Sequence, residues 1–94
     1  MTIEKACETL DSLLKGLPGS GFDSVDDSTI ASLSSLSPEA ENLGMKSGGQ
    51  LIVNLADALK KRKTGGNTDD SVMVRVTALD FYVKHLQSGA TEDL

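Results

Sequence analysis

Apolar residues recur at steps of three and four along most of this chain, the spacing that lines one stripe of a helix. Ile3, Ala6, Cys7, Leu10, Leu13, Leu14 and Leu17 form the clearest run. A half-buried strand would need apolar residues at every second position, so the pattern predicts a helix over residues 2–17. Thr2 can cap its start and Glu4 falls in the first turn, where the helix dipole favours negative charge. Gly16 with Pro18 ends it.

Residues 18–27 hold Gly19, Ser20, Gly21, Asp23 and Ser24 without any period, the composition of a loop. Phe22 and Val25 within it are apolar, which predicts a connection pinned to the core at those two points. A short helix over 28–36 follows, with Ile30, Leu33 and Leu36 on one side and Asp26 or Asp27 as its cap. Ser37-Pro38-Glu39 then reads as N-cap, first helical position and acidic first turn of a new helix. This third helix is expected to reach Lys63, with Ala40, Gly44, Gly48, Leu51, Ile52, Leu55, Ala58 and Leu59 on one face. Its first half is weak, because each glycine costs about 1 kcal/mol relative to alanine. A break at 44–50 would divide it in two. The Gly44-to-Gly48 spacing also lets another helix approach closely.

Gly65-Gly66-Asn67 closes that helix, and Thr68 with Asp69 and Asp70 opens a last one that extends to about Gln87 before Gly89 stops it. Val72, Val74 and Val76 alternate as a strand would. Against this, Val72, Val76, Leu79, Val83 and Leu86 keep helical spacing over about four turns, and no partner strand is visible elsewhere. The expected fold is therefore all-α, a small bundle of four helices, or five if the third divides. With 94 residues the chain can bury only one modest core, which predicts a single domain over 1–88 and a flexible tail at 89–94.

Hydrophobic residues at 38% and charged residues at 24% fit a globular protein folding in water. No run approaches the roughly 18 to 20 apolar residues of a membrane span. The first residues lack the charged-then-apolar layout of a signal peptide, so a cytoplasmic location is expected. A lone cysteine excludes an internal disulfide and a cysteine-based zinc site, and a lone histidine cannot replace it. No metal or cofactor is expected.

The feature that bears on function is the last helix. At about 100° per residue, Val74, Ala78 and Phe81 gather nearly opposite the first stripe, with His85 on their side. A rim helix needs one buried stripe, so the second must meet another helix of the chain, with Phe81 as core filler, or another molecule. Small bundles often gain stability by associating, so the second case predicts a homodimer through Val74, Ala78, Phe81 and His85.

Lys60-Lys61-Arg62-Lys63 is the one dense basic run, in a chain of net charge −5. Such a run can contact phosphates, but cations at a helix C-terminus also satisfy the dipole and the last carbonyls. The surrounding acidity and the lack of an aromatic platform disfavour nucleic acid. Gly44-Met45-Lys46-Ser47 lacks the glycines of a phosphate-binding loop, which excludes nucleotide hydrolysis. The stretch from Met45 to Gly49 resembles one turn of the active helix of histidine phosphotransfer domains. There a histidine stands three residues before the lysine; here that place holds Leu43, and His85 has no lysine three residues on. The resemblance therefore implies no phosphoryl transfer.

Cys7 lies in the apolar stripe of the first helix and reads as core, not nucleophile. His85 reads as half-exposed near a helix end, and the pairs Asp26-Asp27, Asp69-Asp70 and Glu92-Asp93 as caps and solvated charge. The sequence thus predicts a non-enzymatic protein-interaction module, an adaptor, chaperone or assembly subunit. The alternative is a nucleic-acid accessory protein using Lys60, Lys61, Arg62 and Lys63.

Overall fold

The computed structural model of the chain describes residues 2–17, 22 and 25–88. Within them are four helices and no strand: α1 (Ile3–Lys15), α2 (Asp27–Asn42), α3 (Lys46–Lys63) and α4 (Asp69–Gln87). The tail expected at 89–94, with Glu92-Asp93, lies outside the described residues, as do Pro18 and most of the loop that follows it. Val72, Val74 and Val76 are helical, so spacing over the whole segment outweighs the local preference of valine for extended chain.

The helices form a ring. α3 packs most extensively on α2 and next on α4, while α1 closes the ring between α4 and α2. Neither α1 and α3 nor α2 and α4 approach across the diagonal. Leu10, Leu33, Ile52, Leu55, Leu59, Val72, Leu79 and Val83 fill the interior. Phe22 and Val25 are buried and pin the α1–α2 connection to it, as their apolar character in a polar loop requires.

Both expected threonine caps form. The Thr2 hydroxyl accepts from the Lys5 backbone N–H at 3.1 Å, and that of Thr68 accepts from the Ser71 N–H at 3.3 Å. Asp26 holds the N-cap position of α2 but makes no side-chain cap bond.

The α2–α3 boundary differs from expectation. Residues 37–39 do not open a new helix: α2 runs unbroken from Asp27 to Asn42 with Pro38 inside it. A proline within a helix removes one backbone bond and crowds the carbonyl four residues back, at a cost of about 3 kcal/mol. That is the magnitude of one or two buried leucines. The buried stripe of Ile30, Leu33, Leu36 and Ala40 passes through Pro38 in one register. Ser37 is buried, and its hydroxyl donates to the Gly49 carbonyl at 2.9 Å across the α2–α3 contact instead of capping.

The actual break comes at Gly44, whose φ of 90° is open to glycine and strained for other residues. The Gly44 N–H bonds the Glu41 carbonyl at 3.0 Å, and the Met45 N–H bonds that of Ala40 at 2.9 Å. This is the paired closure of a Schellman motif, with fully buried Met45 as its apolar residue. The Met45 carbonyl then accepts from the Gly49 N–H at 2.8 Å, so one residue ends α2 and starts α3. The same closure recurs after α3, where Gly65 (φ 82°) and Gly66 bond back to Arg62 and Lys61. The close helix approach expected of Gly44 and Gly48 belongs instead to Gly48 and Gly49. A Cβ on Gly48 would meet the Tyr82 ring and one on Gly49 would meet Glu41, whereas space around Gly44 is open.

Candidate functional site

Thr68 and the acidic pair Asp69-Asp70 start α4, and Lys84 and His85 stand in its last turn, so both ends complement the helix dipole. On the inner side Val72, Leu79 and Val83 are fully buried, with Val76 and Leu86 partly buried against the core. Because α4 touches only α3 and α1, one side of it is left without a neighbour. Val74 and Phe81 lie there, 66% and 74% exposed, with Ala78 also exposed between them. Phe81 is not core filler. His85 is half-buried, and its Nε2 is shielded from solvent.

Two neighbouring residues escaped the sequence reading. Met73, 48% exposed, stands about 100° round the helix from Val74, beside that face, and no periodic signal marks it. Tyr82 is buried on the flank of α4 that meets α3, its ring seated over Gly48. An aromatic residue spaced three from Leu79 was the available clue.

The four basic residues do not converge. Lys63 Nζ pairs with Asp27 at 2.6 Å, and Arg62 Nε with Asp69 at 2.7 Å. Lys60 and Lys63 border an open groove of about 700 Å³ between α2 and α3, with Ile30 and Ser34 in its wall. Lys61 stands on another side, beside Asn67 and Arg75. Asp69 also accepts from the Phe22 backbone N–H at 3.2 Å. The Arg62 hydrogen bond, aided by that amide, holds the Asp69 carboxyl below the ordinary carboxylate range. Lys63 does the same for Asp27, chiefly through its hydrogen bond.

Cys7 is buried, and desolvation pushes its thiol pKa up, opposite to what a nucleophile needs. Leu43, at the place of the phosphotransfer histidine, is half-buried at the C-cap of α2. Among the described residues no cluster of three or more His, Cys, Asp or Glu side chains is placed to hold a metal ion. No described helix is long and apolar enough to cross a membrane. Comparison with known protein families, with curated proteins and with solved structures found no match.

Proposed function

We propose that this chain is a small interaction module that binds another protein through the outer face of α4 and performs no chemistry of its own. The observation that carries this reading is the exposure of Phe81 and Val74 on a helix whose opposite side is fully buried. Burying such side chains is worth roughly 1.5–3 kcal/mol each, and an aromatic anchor on a rigid helix is a favoured centre for a protein interface. Ala78 between them lets a partner backbone come close. The phosphate-contact reading of Lys60–Lys63 has less support, since Arg62 and Lys63 already hold Asp69 and Asp27. A free buried thiol at Cys7 is compatible with a reducing compartment such as the cytoplasm.

The test compares wild type, Phe81→Asp and Lys61→Glu as baits in affinity capture from the native cell, with light scattering at about 100 μM, where a weak second-copy contact would also register. A protein partner, or a second copy, should bind wild type and Lys61→Glu and be lost with Phe81→Asp. Nucleic acid bound instead, released between low and physiological salt and lost with Lys61→Glu, would refute the reading.

A further inference from the structure

We infer that the occupant of the α4 face is a second copy of this chain, joined by a two-fold axis that crosses the two α4 helices antiparallel at Thr77-Ala78. This rests on the interaction reading above and adds to it the partner and its orientation.

Val74, Ala78, Phe81 and His85 follow one another at steps of four, three and four, the seam of a packed helix pair. Asp70, Thr77 and Lys84, each seven residues apart, run along one edge of that seam. The edge is acidic at its start, neutral at its middle and basic at its end. Turned antiparallel about its middle, it sets Asp70 of one copy beside Lys84 of the other, and Val74 beside Phe81, each twice. A parallel pair would bring like charges to the same level. The exposed face is thus complementary to itself in one orientation only. Lys84 already bonds Asp80 on its own helix at 2.8 Å but is 68% exposed, and its ammonium has donors to spare for a second carboxylate.

The face also sets the strength. Four turns of helix carrying Val74 and Phe81 as their large apolar groups fall short of the roughly 800 Å² per partner of a standard interface. An interface this small belongs to the weak, reversible class, so the dimer should appear only as the concentration is raised.

One introduced cysteine at a time tests the arrangement, because the native Cys7 is buried and shielded in the folded protein. Ala78→Cys and His85→Cys variants are oxidised mildly at about 100 μM. At 1.5 Å rise per residue the antiparallel pair brings the two residues 78 together and leaves the two residues 85 about 22 Å apart along the axis. Ala78→Cys should give a disulfide dimer and His85→Cys should not. Sedimentation equilibrium should show wild type dimerising with concentration, Asp70→Lys weakening this at least threefold, and Asp70→Lys with Lys84→Asp restoring it. Cross-linking of both cysteine variants would overturn the antiparallel order while leaving α4 as the interaction face. A wild type monomeric to 0.5 mM with neither variant cross-linked would overturn self-association. In that event loss of a different captured protein with Phe81→Asp, at unchanged circular dichroism melting, would keep the interaction reading, and retained capture would end it too.

Discussion

A Cβ placed on Gly48 would stand 2.7 Å from Cε2 of Tyr82, so α3 and α4 meet there with no room for a methyl group. The contact lies in the first turn of α3 and brings a buried aromatic ring onto bare backbone. It sets how near the flank of α4 lies to α3, and so which way the outer face of α4 points.

Gly48→Ala should therefore destabilise the fold by about 1 kcal/mol: overpacking costs about 1–3 kcal/mol, and the higher helix propensity of alanine returns part of it. In a Tyr82→Leu background the same change should become neutral or stabilising. Urea unfolding of the two single variants and the double variant measures the coupling.

Asp69 joins three parts of the chain, the end of α3 through Arg62, the start of α4, and the α1–α2 connection through the Phe22 amide. Its carboxyl pKa is lower folded than its ordinary value, first through Arg62 and then Phe22. A group shifted this way adds stability that is fully present above the unfolded pKa, near 4, and is lost as the pH falls through the folded value. Asp27, lowered by Lys63, acts in the same direction. The melting temperature should fall as the pH drops below about 4, and less steeply in Asp69→Asn. At neutral pH Asp69→Asn should melt below wild type, and salt near 1 M should narrow the gap, because the Arg62–Asp69 pair is partly exposed.

Gly44 separates backbone strain from packing, since a Cβ there would meet nothing within 4 Å while its φ is 90°. Gly44→Ala should cost about 1–2 kcal/mol from the left-handed conformation alone. Gly44→Asn should cost less than half of that, because asparagine tolerates this conformation. Thermal unfolding of both variants, with helical content unchanged in each, checks the assignment.

How much of this was legible in the sequence depends on how local the deciding contact is. α1 is readable because cap, periodicity and stop signal agree from Thr2 to Gly16, and α4 because cap and periodicity agree from Thr68 to Gln87. The α2–α3 boundary was misplaced because Ser37-Pro38-Glu39 carries the local signature of a helix start. The use of the Ser37 hydroxyl on Gly49, twelve residues on, is a tertiary fact. Leu43-Gly44-Met45, a glycine followed by an apolar residue, was the readable stop signal. The two stripes of α4 were visible, but which of them is covered depends on α4 having two helical neighbours and not three. For the basic run, the pairing of Lys63 with Asp27 spans 36 residues, and no spacing rule reaches that far.

Leu79 and Phe81 sit two residues apart on the same helix and should respond oppositely to the same change. Leu79 is fully buried between the helices, and a carboxylate there would be an unpaired charge without solvent. Removing a buried leucine alone costs about 2–5 kcal/mol, against a total of about 5–14 kcal/mol for a chain of this length, so Leu79→Asp should lose cooperative melting and helical signal at 25 °C. Phe81 is 74% exposed, so Phe81→Asp places its charge in water and should shift stability by no more than about 0.5 kcal/mol. Circular dichroism melts of the two variants side by side make the comparison. A Phe81→Asp variant that unfolds like Leu79→Asp would mean that the ring is covered by the chain itself, and the outer face of α4 would then not be a surface.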